Sequence, residues 1–376
     1  MELANRPLLR KAVLRGLAHL QTDVALPLRL EVAPGLSHDF GPEPRVTVRL
    51  HRLAALRSFL SPRLDRLADA YVQGDFDVDG SPDDVLAVAA ALAQAAVSAS
   101  GKLARLLHME RHDAQLDAGA IAYHYDVSND FYQCWLDPAM VYSCAYFPTA
   151  QESLATAQLA KLDHVLTKIC LQPGQRLLDI GCGWGALAMR AAQHFGARVV
   201  GITLSKNQYA LARERVGRAA LSDRIEIRLQ DYRELDPNTE TFDRITSIGM
   251  FEHVVLAHLL DYFSRLRALL KPGGLVLNHG ITTTDPGNGA APLGGDVFIS
   301  QYVFPHGELP HLSLVLSSMQ QAGLEVLDAE CLRRHYERTL RAWSQRYEAQ
   351  SRAIRALVDE RTYRIWRIYL AGCAYA

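Results

Sequence analysis

Beyond about residue 120 the chain repeats one pattern: a short apolar run, then a stretch whose apolar residues return at helical spacing. The runs are 176–180, 199–204, 225–229, 242–248 and 274–278, and helical stretches lie between them, ending with 259–270 before Pro272-Gly273-Gly274. Strands alternating with helices argue an α/β fold built on a doubly wound parallel sheet. The run 324–327 can close the sheet with an antiparallel strand, and helical patterns over 337–350 and 352–370 end the chain.

The first hundred residues read differently. Positions 28–32 and 45–50 alternate like half-buried strands, Pro34-Gly35 and Gly41-Pro42 punctuate them, and helical patterns cover 53–71 and 82–98. Between the helices lies Gly74-Asp75-Phe76-Asp77-Val78-Asp79-Gly80. Its acids are spaced as in a calcium loop, but such a loop needs a Glu where Leu86 stands, so a plain turn is the reading. A charged and polar stretch, 101–120, suits a linker. The expected organisation is a smaller α+β domain over 1–100, the linker 101–120, and a larger domain over 121–376.

Composition adds limits. A chain of 376 residues, 49% hydrophobic and 22% charged, has room for two globular domains. A net charge of −1 excludes a general nucleic-acid binder. The ends are nevertheless basic: residues 1–70 hold 11 Lys/Arg against 7 Asp/Glu, and 332–370 hold 10 Arg against 4 acids. These are either solvated helix faces or contacts for an anionic membrane surface. The six cysteines include no C-x-x-C pair, which argues against a zinc site or redox dithiol, and no metal site is expected. The longest apolar stretch, 85–99, is interrupted by Gln94 and too short to span a bilayer, and the N-terminus has no apolar signal core. The expectation is a cytoplasmic protein with reduced cysteines.

The candidate chemistry begins at Leu178-Asp179-Ile180-Gly181-Cys182-Gly183-Trp184-Gly185, a glycine turn between a strand and a helix. Glycine serves where the backbone turns sharply and approaches a ligand. Dinucleotide sites use a related loop, but the next strand ends in Thr203-Leu204-Ser205-Lys206-Asn207-Gln208, without the acid that would hold an NAD ribose. The turn suits S-adenosylmethionine (SAM) better.

Four further groups stand out. Tyr123-His124-Tyr125-Asp126-Val127-Ser128-Asn129-Asp130-Phe131-Tyr132 leads toward Tyr142-Ser143-Cys144-Ala145-Tyr146-Phe147; read alone, it is a lid over a ligand or ordinary packing. Glu252, in Gly249-Met250-Phe251-Glu252-His253, follows the fourth strand, where ligands of open α/β sheets bind. His279 ends the fifth strand, and Asp231-Tyr232 follows the third, placed to accept from an adenine amino group and to cover its ring. A lone histidine at a strand end is more often a satisfied polar residue, but features at several strand ends facing one crevice reinforce each other.

In this order these segments resemble the cyclopropane-fatty-acid and mycolic acid cyclopropane synthases, over most of 120–376. The most specific matches are Tyr142-Ser143-Cys144-Ala145-Tyr146-Phe147, the glycine turn, Leu204-Ser205-Lys206-Asn207-Gln208, Phe251-Glu252-His253 and Gln301-Tyr302-Val303-Phe304-Pro305. The N-terminal part, with Ala68-Asp69-Ala70-Tyr71 and Phe76-Asp77-Val78-Asp79-Gly80, is similar to bacterial synthases that act on phospholipids; the mycolic acid enzymes lack it. Such relatives usually continue past Ala371-Gly372-Cys373-Ala374-Tyr375-Ala376, where this sequence stops.

The resemblance implies a class I SAM-dependent methyltransferase, Rossmann-like, with a mostly parallel seven-stranded sheet. It implies that Tyr142, Ser143, Asp179, Gly181, Gly183, Gly185, Thr203, Leu204, Gln208, Asp231 and Tyr232 hold SAM. It implies a bicarbonate ion beside Cys144, Glu252, His279, Ile281 and Tyr336, with Cys144 a neighbour and not a nucleophile. The Tyr336 match rests on the short run His335-Tyr336-Glu337-Arg338-Thr339-Leu340. The implied reaction is methyl transfer to a cis double bond of a phospholipid acyl chain, followed by ring closure. The implied partners are a homodimer mate and the inner face of a membrane, reached through a lipid-binding or dimerising domain at 1–100. The same cation could instead yield a methyl-branched or methylene chain. A small-molecule N- or C-methyltransferase and a non-catalytic lipid-binding protein are the other readings, and the intact glycine turn with Glu252 argues against the last.

Overall fold

A computed structural model describes residues 17, 26–33, 35–52, 55–60, 63–100, 127–285, 295–303 and 308–375. The chain forms two compact units. One comprises Met1–His124, Ala290–Pro305 and Val358–Ala376, the other Tyr125–Gly289 and His306–Leu357.

The first unit carries a sheet of β1 (Leu28–Ala33), β2 (Leu36–Asp39), β3 (Val46–Leu50) and β4 (Phe76–Asp79), ordered β2-β1-β3-β4. In β1 every other residue is buried, so Leu28, Leu30 and Val32 enter a core with Val46, Val48, Phe59, Tyr71 and Phe76. The acidic stretch is a strand and not a plain turn, because β4 pairs antiparallel with β3. Its acids face basic side chains: Asp75 meets Arg52 at 3.2 Å, Asp77 meets His51 at 2.8 Å and Asp79 meets Arg49 at 2.5 Å. No group of residues able to hold a metal occurs among the described residues. The helical pattern at 53–71 resolves into Leu56–Leu60 and Leu64–Val72, on either side of Pro62, which lacks an N–H and disfavours helix at the residue before it.

The end of the chain also departs from expectation. The pattern at 352–370 divides into Ser351–Leu357 and Glu360–Tyr375, with the Asp359 side chain accepting from the Thr362 N–H at 2.6 Å as a cap. The last helix belongs to the first unit, whereas the sequence reading kept 121–376 together. Arg364 explains this: buried, it donates to the Tyr71 and Phe76 carbonyls at 2.9 Å each and to Asp77 at 2.5 Å.

The second unit carries five parallel strands: β5 (Arg176–Ile180), β6 (Arg198–Thr203), β7 (Ile225–Leu229), β8 (Phe242–Ile248) and β9 (Leu270–His279), ordered β7-β6-β5-β8-β9. Both faces are covered, as the continuous apolar strands require. Leu177, Val199 and Ile227 pack toward Leu162, Val165 and Ala188, while Leu178, Ile202 and Ile245 pack toward Tyr262, Phe263 and Leu266. Strand β9 starts four residues earlier than its apolar run, at Leu270, and a Cβ on Gly274 would lie 2.7 Å from Leu270 Cδ1. The seven strands expected become five among the described residues. Residues 324–327 pair with none: Leu327 is 68% exposed, and the chain just beyond is drawn to the helix Leu154–Lys168 by Glu330, which meets Lys168 at 2.6 Å and His164 at 2.8 Å. The strand order reverses between β5 and β8, so a crevice opens at their carboxyl ends.

Candidate active site

Two segments meet at that crevice. After β5 the chain turns through Gly181, Gly183 and Gly185, at φ of 74°, 55° and 82°. These left-handed values suit glycine. The N–H groups of Gly181 and Cys182 donate to the Ile202 carbonyl at 2.9 and 3.0 Å, which pins the turn to β6. A Cβ on Gly181 would touch Met250 at 3.5 Å, so the turn abuts the segment that carries Glu252.

Beyond β8, a single 3-10 turn (Phe251–His253) holds Glu252. The Ile281 N–H donates to its Oε1 at 2.8 Å, while Oε2 is buried without a partner. Burial pushes the carboxyl above its usual range. Gly280 makes this approach possible: a Cβ there would fall 1.8 Å from Phe251 Cε1 and 3.0 Å from Glu252 Cδ. His279 ends β9, its carbonyl accepting from the Gly249 N–H at 2.9 Å, and burial pushes its imidazole down to about 4. It is neutral at physiological pH.

The segment 142–147 closes the other side. Gln158 donates to the Ser143 carbonyl at 2.9 Å and Lys161 to the Ser143 hydroxyl at 2.8 Å. The Ala145 N–H donates to Thr339 Oγ1 and the Phe147 N–H to His335 Nδ1, each at 3.0 Å, which fastens the segment to the helix Arg333–Ala349. The Tyr142 ring lies 5.4 Å from Trp135 and 5.3 Å from Trp343; Tyr336 meets Trp343 edge-on at 6.4 Å. The Cys144 thiol is buried, and burial pushes it up to about 12, so it is protonated and a poor nucleophile.

The remaining expected cofactor residues line the ends of β5, β6 and β7. Asp179 lies within β5, buried, accepting from Thr246 Oγ1 at 2.9 Å; burial pushes its carboxyl up to about 6. The Thr203 hydroxyl donates to Gln208 Oε1 at 2.9 Å, and Leu204 is left 70% exposed. Asp231 takes the Arg233 guanidinium on both oxygens, at 3.0 and 2.7 Å, which holds its carboxyl below the usual range. Tyr232 stands edge-on to Tyr262 at 5.3 Å. Positions 123–126, 304 and 305 of the quoted motifs lie outside the described residues.

Three residues escaped the sequence reading. Asn129 accepts from Trp184 Nε1 at 2.8 Å and donates to the Asn207 carbonyl at 3.3 Å, joining the glycine turn to the helix Lys206–Arg218. Gly280 stood in the run Asn278-His279-Gly280-Ile281 that ends the fifth strand but was given no role. Lys161 did leave a signal: with Gln158 it stands in the buried stripe of Leu154, Ala157, Leu162 and Val165, where helical spacing calls for apolar residues.

A parallel sheet with this order, a glycine turn after its first strand and side chains converging beyond β8 and β9 is the fold of class I SAM-dependent methyltransferases. Residues 112–376 match the family described as mycolic acid cyclopropane synthetase. The chain belongs to that family. It is 46% identical over 351 residues to a Pseudomonas putida protein named "Probable fatty acid methyltransferase", covering 93% of this chain and 88% of the relative. Mycolic acid cyclopropane synthase CmaA1, solved with SAH and CTAB, is 38% identical with a TM-score of 0.63, covering 67% of this chain and 90% of that one. Cyclopropane synthase MmaA2 from Mycobacterium tuberculosis is 35% identical with a TM-score of 0.64, covering 70% and 94%.

Proposed function

We propose that the protein transfers the SAM methyl group to a cis double bond of a phospholipid acyl chain and closes a cyclopropane ring. The observation that carries this reading is the buried, partnerless Oε2 of Glu252, one strand end from a neutral His279.

The residues fit both implied groups. The glycine turn, Tyr142, Ser143, Leu204, Gln208 and Tyr232 would hold SAM, which supplies an electrophilic methyl on sulfur. Glu252, His279, Ile281, Cys144 and Tyr336 would hold bicarbonate, which supplies a base. An anion beside Glu252 demands a shared proton, and the raised affinity of Glu252 for a proton meets that demand. Tyr142 packs against Trp135 and Trp343, which fixes its ring beside Ser143 and Cys144. The balance is simple. A bond would form from the methyl carbon to one alkene carbon as the carbon–sulfur bond breaks and SAH leaves; the base would take a proton from the new methyl, and the electron pair of that C–H bond would close the ring onto the cation at the other alkene carbon.

Vesicles of cis-unsaturated phospholipid, free unsaturated fatty acid and small amines, each incubated with SAM and bicarbonate, test the substrate class. Turnover of the phospholipid, with ring protons in the NMR spectrum, supports the proposal; turnover of amines alone overturns it. A methyl-branched product is the second reading, favoured by the name of the Pseudomonas relative.

No helix among the described residues is long and apolar enough to cross a membrane. We place the protein at the cytoplasmic membrane surface as a homodimer, held by its basic ends. Vesicle binding should weaken with salt and strengthen with anionic lipid; binding insensitive to both sinks that attraction.

A further inference from the structure

We propose that Lys161 is a positioning residue that supplies the buried positive charge against which the anionic base sits, from behind residues 142–144. This deepens the cyclopropane synthase reading and rests on it.

Lys161 is only 2% exposed and reaches the Ser143 hydroxyl at 2.8 Å. That hydroxyl is neutral, and no carboxylate among the described residues closes an ion pair with the ammonium. The two nearest acids are engaged elsewhere. Asp137 accepts from the Ala139 and Val141 N–H groups at 2.8 and 2.9 Å, and Asp179 accepts from Thr246. A buried ammonium without an anion is costly, and protein interiors rarely keep one without a partner. The segment does not need it for anchorage, since Gln158 already holds the Ser143 carbonyl.

The field of Lys161 is felt at Cys144 and at His279, two of the residues proposed to surround the base. At His279 it adds to burial in keeping the imidazole neutral, so that ring can accept or donate a hydrogen bond without carrying charge. Asp179 and Asp137 act on the ammonium without closing an ion pair, and the base is the anion that would close it. A cation here offsets the repulsion between a bound anion and Glu252, Asp179 and Asp137, the carboxyls that face this corner. Burial pushes the lysine down to about 8, the direction expected for an ammonium awaiting its counter-ion.

The test is calorimetric titration of bicarbonate into the full chain saturated with S-adenosylhomocysteine (SAH). Lys161→Met should weaken bicarbonate binding by about tenfold or more while SAH affinity holds. In the wild type, bicarbonate affinity should fall as pH rises through about 8, a measurement that stands even if Lys161→Met does not fold. Wild-type affinity for bicarbonate in Lys161→Met overturns the proposal. So does a pH-independent wild type. If the wild type binds SAH but no bicarbonate, the proposal falls together with the choice of base, and the methyltransferase reading stands.

Discussion

Glu252 is the side chain on which the chemistry turns, and its fold position separates binding from reaction. One oxygen is spent on the Ile281 N–H, the other is left to the crevice. Glu252→Gln keeps the shape and an acceptor but loses the ability to share a proton with a base. We expect kcat to fall by roughly 10²–10⁴-fold with SAH affinity retained by calorimetry. An equal loss of SAH affinity would count against the role. His279 makes a second statement at this scale. Its folded-state pKa of about 4 lies below the ordinary value of 6.5, so the unfolded chain binds more protons between them. Stability is therefore full above pH 6.5 and declines as pH falls toward 4, by up to about 3 kcal/mol. Urea melts across that range check it, and His279→Gln should flatten the profile.

These residues were legible to different degrees, for physical reasons. Glu252 and His279 could be read because a parallel sheet presents its ligands beyond the carboxyl ends of its strands, so a polar residue just past an apolar run already has an address. Gly280 could not, since its requirement comes from the Phe251 ring, 29 residues away in sequence. The fate of Asp231 was equally hidden: its carboxylate is engaged by Arg233, a neighbour that spacing alone did not mark.

At the scale of elements, the turn after β8 and the end of β9 interlock through Gly280. Adding a methyl in Gly280→Ala forces Phe251 aside and carries Glu252 with it. We expect a loss of about 1–3 kcal/mol in stability by thermal melting, together with a larger loss of activity than the stability change explains. The last helix, Glu360–Tyr375, hangs on Arg364. Its guanidinium caps two carbonyls and meets Asp77 and Glu360, with side-chain exposure of only 10%. Arg364→Ala removes one donor from each carbonyl and the charge partner of Asp77 and Glu360, and urea unfolding should show a loss of about 1–3 kcal/mol. Periodicity revealed that this helix exists but not where it docks, because an amphipathic stripe does not name its partner. The same blindness hid the unpaired state of 324–327, whose exposures alternate as a strand's would while no ladder neighbour receives it.

At the scale of the molecule, the chain divides into two units, but not at the boundary the sequence suggested. The unit that carries the parallel sheet runs to Leu357, and the chain then returns to the N-terminal unit. The central claim is that the methyl group, once transferred, gives up a proton so that a ring can close. Trideuteromethyl SAM tests it most directly. After incubation with cis-unsaturated phospholipid vesicles, the acyl chains are examined by mass spectrometry with proton and deuterium NMR. The account predicts that the olefinic protons vanish and a CD2 group appears in a three-membered ring, each methyl having lost one deuteron. An intact CD3 branch on the chain would contradict it.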